Sequence, residues 1–158
     1  MPNRESSEPH RPDQYLKDAY LGELTGEATL QMLRGHFPEK VDALNQMARI
    51  EALTAKFLRA HLCASVSLKE EALARAQGRS RRDPVDYADW SDFIHQIVPL
   101  LKRAVLKSQG AEALAPTHLK SVYEIYTAHE QALIDFLELE KLGLSGHPAA
   151  ESYFKRLP

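Results

Sequence analysis

The stretch Asp13-Gln14-Tyr15-Leu16-Lys17-Asp18-Ala19-Tyr20-Leu21-Gly22-Glu23-Leu24-Thr25-Gly26-Glu27-Ala28 decides the fold. Leu16, Tyr20, Glu23 or Leu24, Glu27 and Leu30 recur every three to four residues, the period of a helix that turns one face to a core. Pro12-Asp13 opens the pattern and Gly35 stands where a helix-ending glycine belongs, which predicts a first helix over roughly 13 to 35. Pro38 is then suited to the start of a second helix. Its face, Leu44, Met47, Glu51, Ala55, Leu58 and Leu62, predicts an end near residue 64. The turn between the two is about three residues, so they should lie antiparallel.

Downstream the pattern changes and then returns. Ser65-Val66-Ser67 can cap a short helix over roughly 68 to 77, and Gln77 to Pro84 reads as loop, so the segment between the second and third long helices is a long crossover. Trp90, Phe93 or Ile94, Ile97, Leu101 and Ala104 mark a third long helix, with Pro99 inside it and Gly110 breaking the pattern. Pro116 restarts it, and Leu119, Val122, Tyr126, Glu130, Leu133 and Leu137 mark a fourth that ends at Gly143. A short terminal helix is expected near 148 to 156, with Tyr153, Phe154 and Leu157 packed on the bundle. No window alternates with period two. The expected fold is all-α: a four-helix bundle of up-down-down-up type with a short C-terminal helix.

The composition agrees. The chain has 158 residues, 44% hydrophobic and 27% charged, the size and balance of one globular domain, assigned to residues 13–158 behind a disordered tail at 1–12 rich in proline and charge. Twenty basic against twenty-two acidic residues gives 20 − 22 = −2, too neutral for a general nucleic-acid binder. Cys63 is the only cysteine, so no internal disulfide or cysteine-rich zinc site exists. The polar opening residues do not read as a signal peptide, and no apolar run would span a bilayer. These features point to a cytoplasmic protein with no membrane partner.

The functional signal is a set of acids on faces that should be apolar. At about 100° per residue, Glu27 and Glu23 lie within roughly 20° of Leu16 on either side. Glu51 occupies the middle of the second stripe, and Glu130 falls between Tyr126, Leu133 and Leu137. An ionised glutamate in a dry core costs several kcal/mol unless paired. Arg49 and Lys56 project to the far side of the second helix, and only Arg34 lies on the inner face of the first, near its end. A metal cation is one candidate partner. A second is a hydrogen-bonded network in which Tyr20, Tyr123 and Tyr126, about one turn away, support the acids. A third is an apolar ligand held between helices that Pro99 opens.

Glutamates facing one another from separate helices in this order, with Gly22-Glu23-Leu24-Thr25-Gly26-Glu27-Ala28 and Ala128-His129-Glu130-Gln131-Ala132-Leu133, resemble the ferritin-like superfamily, in particular its rubrerythrin-like members. The resemblance covers roughly residues 13 to 143. It implies a di-iron ligand set in which Glu27, Glu51 and Glu130 match the acids of the first, second and fourth helices. The expected Glu-x-x-His pairs are absent, however: Thr54 follows Glu51 by three residues and Leu133 follows Glu130, while the third helix offers Ile94, Ile97 and Leu101 with no acid. The six-residue set is therefore incomplete. What remains could hold one iron or manganese through Glu27, Glu51, Glu130 and His129 or Glu23, with Tyr20 and Tyr126 as supporting groups. His129 lies about 80° from the centre of its stripe.

Such a set, with open positions, implies an oxidoreductase acting with oxygen or peroxide. The alternative from another class is a non-catalytic bundle whose acids are held by tyrosines and whose surface at 148 to 157 serves partner binding or a homodimer. The substrate, a small molecule in the first case, is not encoded in the periodicity. The remaining candidates read as structural. Asp92 and His95 point away from the core face, His36 and His61 sit near helix C-termini, and Arg75, Arg79, Arg81 and Arg82 form a basic loop without stacking aromatics. Cys63 reads as a small buried residue, and Gly22 and Gly26 as a site of close helix approach.

Overall fold

The computed structural model describes residues 11–80 and 87–158, and within them every regular element is helical. The expected tail at 1–12 therefore lies outside the described residues except for Arg11 and Pro12, and Pro12 already opens the first helix. Arg81 and Arg82 of the basic loop also lie outside them.

Helix α1 (Pro12–Leu33) starts at a proline whose missing N–H costs nothing at that position and carries Asp13 in its first turn. A 3₁₀ turn at Pro38–Lys40 leads into α2 (Val41–Arg59). Helix α3 (Leu68–Arg79) opens on a capping box: the Glu70 N–H donates to Ser67 Oγ while the Glu70 carboxylate accepts from the Ser67 N–H. Asp89 caps α4 (Trp90–Ala113) by accepting from the Asp92 N–H. A second 3₁₀ turn, Thr117–Leu119, precedes α5 (Lys120–Lys141), and α6 (His147–Phe154) follows a turn in which Gly143 takes φ +73°.

Contacts between elements fix directions. Helices α1 and α2 form one antiparallel hairpin and α4 and α5 another. Tyr15 stacks on Tyr123 at 4.8 Å, bringing the starts of α1 and α5 together, and Lys40 before α2 reaches Glu140 at the end of α5 at 3.0 Å. So α1 runs parallel to α5, and α2 packs antiparallel against it. The crossover is itself a packed element: α3 lies along α1. Gly78 permits that approach, since a Cβ there would stand 2.3 Å from the Thr25 carbonyl oxygen. The Thr25 and Thr29 hydroxyls reinforce it by donating to the Ala74 and Gly78 carbonyls.

Four expectations need correction. The second long helix ends at Arg59, short of residue 64, so Cys63 lies in the following loop and is exposed. Gly110 does not end α4, which continues to Ala113. Arg75 belongs to α3 and pairs with Glu27, so it is not part of a free basic loop. The terminal segment does not offer a free apolar surface: Ala150 and Tyr153 are buried, and Phe154 and Leu157 pack on the core. Asp92 and His95 do stay off the core face, with His95 exposed and the Asp92 carboxylate accepting from Ala88 N–H and Gln96.

The core has two parts. One apolar cluster holds Leu30, Leu33, Leu44, Met47, Ile50, Phe93, Leu133 and Leu137 among others; the other holds Leu16, Ala19, Tyr20, Leu24, Ala55, Leu58, Val122 and Tyr123. Between them, at the same height on α1, α2 and α5, lies a buried polar layer: Glu23, Glu51, Thr54, His129 and Glu130.

Candidate metal centre

The polar layer converges on one point. Glu23 from α1, Glu51 from α2 and His129 from α5 each offer a ligand atom, and the three atoms lie within 4.8 Å of one another. His129 Nε2 stands 3.0 Å from Glu23 Oε1 and 3.9 Å from Glu51 Oε2. Glu23 and His129 are closed off from solvent, at 3% and 2% of full exposure, while Glu51 keeps a small accessible edge.

Local structure sets each position. The His129 ring stacks on Tyr126 at 4.7 Å, and Nδ1 bonds to the Tyr126 carbonyl oxygen. A carbonyl only accepts, so Nδ1 carries the proton and Nε2 turns its lone pair, or a second proton, toward the two acids. Glu51 fits against α1 because residue 26 is glycine: a Cβ there would meet Glu51 Oε1 at 2.7 Å. Tyr153 of α6 donates to Thr54 Oγ1, whose own proton goes to the Ile50 carbonyl, so the layer is closed on the α6 side.

The electrostatics are costly. Burial pushes the Glu23 carboxyl up to about 8, moderated by a hydrogen bond from Glu51, with the Glu130 charge adding to the rise. Burial also raises Glu51 well above the usual carboxylate range, helped by the Glu23 charge and by its hydrogen bond to Glu23. The pair behaves as one proton-sharing unit. Even so, no N–H or hydroxyl among the described residues donates to the buried Glu23 Oε2. An orphaned buried carboxylate oxygen beside a second carboxyl and an imidazole lone pair is the arrangement a cation would satisfy.

The other expected site residues go elsewhere. Glu27 accepts from Arg75 Nη1 at 3.1 Å and from Gln31, because the crossover helix brings a guanidinium that the α1 sequence does not foretell. Glu130 is buried in the polar layer but turns toward α4, where Ser108 donates to it at 2.9 Å. Burial raises it too, opposed by His129 and Ser108. The Tyr15 hydroxyl also bonds to Ser108. Tyr20 supports none of the expected acids; it donates to Glu71 of α3 at 2.8 Å. Tyr126 does support the site, through its carbonyl and its ring.

His129 stands at the centre, not at the edge of its stripe. The signal for this is a seven-residue spacing: Val122, His129 and Phe136 share a direction within about 40° in all, with Leu133 beside them, and all four are buried. Phasing the helix on Tyr126, Glu130 and Leu137 turns it too far, since Tyr126 is only half-buried.

An apolar cleft of about 270 Å³ leads to Glu51 between α1 and α4, lined by Gly22, Gly26, Met47, Phe93, Ile97 and Leu133 among others. A polar cleft of about 270 Å³ lies further along the same seam, at Tyr15, Asp18, Lys107, Ser108 and Glu130. No helix among the described residues is long and apolar enough to cross a membrane. Compared with known proteins, the chain matches no family model, no curated protein and no solved structure.

Proposed function

We propose that this chain is a metal-binding helical bundle of ferritin-like type, with α1, α2, α4 and α5 as its four helices, and that Glu23, Glu51 and His129 bind one iron or manganese ion. The observation that carries the reading is the buried Glu23 carboxylate, unpartnered at Oε2 and facing a second acid and an imidazole nitrogen. Two atoms bound to one ion at about 2.1 Å cannot be more than about 4.2 Å apart. The His129 separations from Glu23 and Glu51, 3.0 and 3.9 Å, meet that limit.

Two carboxylates and one imidazole suit iron or manganese better than a thiolate-preferring metal. Such an ion supplies Lewis acidity and, for these metals, redox chemistry with oxygen or peroxide at its open positions. The chain's part is to hold the ligands. The Tyr126 carbonyl fixes the His129 tautomer and its ring direction, Gly26 leaves room for Glu51, and the apolar clusters on either side exclude water.

A second reading keeps the polar layer as an internal network in a non-catalytic bundle, favoured by the 3.0 Å contact between His129 and Glu23. Manganese titration of the chelator-treated chain, followed by electron paramagnetic resonance and elemental analysis, separates the two. The metal reading expects a single bound ion, lost in Glu23→Ala and in His129→Ala and retained in Glu27→Ala, whose carboxylate belongs to Arg75. Absence of bound iron and manganese in the folded wild-type chain leaves the network.

A further inference from the structure

The cleft between α1 and α4 has one polar end. Its walls are Met47, Phe93, Ile97, Leu101 and Leu133 with parts of α1. Thr25 and Thr29 also border it, but their hydroxyls are committed to carbonyls of α1 and α3. Glu51 lies at the inner end and keeps 11% of its side chain accessible. Its carboxyl stands against Gly26, where a Cβ would meet Oε1 at 2.7 Å and Oε2 at 3.2 Å, so it presents acceptor oxygens on that side of the cleft.

We propose that this cleft binds a small apolar alcohol, with its hydroxyl donating to Glu51 and its hydrocarbon lying along Met47, Phe93, Ile97 and Leu101. Three features select that class. The walls reward hydrocarbon and give no second polar contact along the way. The inner end asks for a donor. An anion would meet the Glu51 carboxyl at the inner end, and an ammonium would have to be stripped of water to pass the apolar walls. Size bounds the length: an apolar cavity of about 150 Å³ holds benzene, so this cleft of about 270 Å³ has room for a chain of six carbons or more.

The inference goes beyond the metal reading and does not require the ion. The test uses the full chain after chelator treatment, titrated with 1-hexanol, 1-methoxypentane, hexylamine and hexanoate and followed by calorimetry and by methyl and aromatic NMR. Hexanol is expected to bind and to show nuclear Overhauser contacts to Met47 and Phe93, with the other three compounds at least about tenfold weaker, the loss expected for one hydrogen bond of about 1.4 kcal/mol. Ile97→Trp, which fills the cleft, should weaken hexanol by tenfold or more. If that variant does not fold, the wild-type contacts decide alone. Equal binding of the ether, tighter binding of the amine or the acid, no binding of hexanol, or contacts outside the cleft would overturn the proposal. Manganese titration of the same sample is read separately: hexanol bound in a chain that takes no manganese retires only the metal reading, and manganese bound in a chain that ignores hexanol retires only this one.

Discussion

With Oε1 facing the His129 ring at 3.0 Å and Oε2 given no donor, the Glu23 carboxyl is expensive as an anion and stable as an acid. Folding raises it from 4.5 to about 8, chiefly through burial. A carboxyl that binds its proton more tightly in the folded state stabilises the fold fully below about pH 4.5, and that contribution is lost as the pH rises through about 8. Glu51 acts in the same direction. Glu70 and Asp92 are lowered by hydrogen bonds at the surface, so their contributions change only in acid, outside this window. The metal-free chain should therefore melt several degrees lower at pH 9 than at pH 5. In Glu23→Gln, which keeps the shape and removes the titration, the fall should be much shallower, while manganese binding is lost. Calorimetric melting in chelator at pH 5, 7 and 9 checks both, and a wild-type melting temperature that rises across this range contradicts the buried acid pair.

On α1 two glycines one turn apart have different work. Nothing lies within 4 Å of a Cβ at Gly22, whereas a Cβ at Gly26 would meet the Glu51 carboxyl at 2.7 to 3.2 Å. Both are helix-interior positions, where alanine is ordinarily favoured by about 1 kcal/mol. Gly22→Ala should gain about 0.5–1 kcal/mol in urea denaturation and leave manganese binding unchanged. Gly26→Ala should gain less than that or lose, because the added methyl pushes Glu51 away from Glu23 and His129, and its manganese affinity should fall by tenfold or more. Equal gains with equal affinities would mean that Glu51 is not seated against α1 as described.

The same helix shows which parts of the molecule were legible in sequence. The long helices, their hairpin pairing and the crossover helix follow from local periodicity and caps, which a single segment carries complete, as at Ser67 and Glu70. The polar layer was legible as an excess of acids on inner faces, and Glu51 lies where its stripe put it. The choice among neighbouring acids was not. Glu23 and Glu27 stand symmetrically about Leu16, and only the arrival of Arg75 from α3 assigns Glu27 to the surface of that contact and leaves Glu23 at the centre. A small rotation of α5 separates the stripe through Tyr126 and Glu130 from the one that centres His129, and Cys63 is exposed because α2 ends at Arg59. Each depends on a partner element or a rotation, neither of which a single stripe encodes.

At the scale of the molecule, two apolar clusters are separated by a layer of buried acids that neither cluster can satisfy. The layer is therefore where a bound cation would act on the stability of the whole bundle, since Glu23 and Glu51 tie α1 and α2 to His129 on α5. An ion bound only by the folded state adds stability as RT ln(1 + [L]/Kd), about 2.7 kcal/mol at a hundredfold excess over Kd, or about 5–10 °C for a chain of this size. The pH dependence of that gain is the sharper test. Binding must displace the proton held between the two carboxyls, and Glu23 gives up its proton only near 8, so the ion binds more tightly as the pH rises. Manganese should raise the melting temperature more at pH 8 than at pH 6, opposite in sign to the destabilisation of the metal-free chain over the same interval. In His129→Ala both the shift and its pH dependence should vanish. A manganese shift of equal size at the two pH values, or one that survives in His129→Ala, would place the ion on surface carboxylates away from the polar layer.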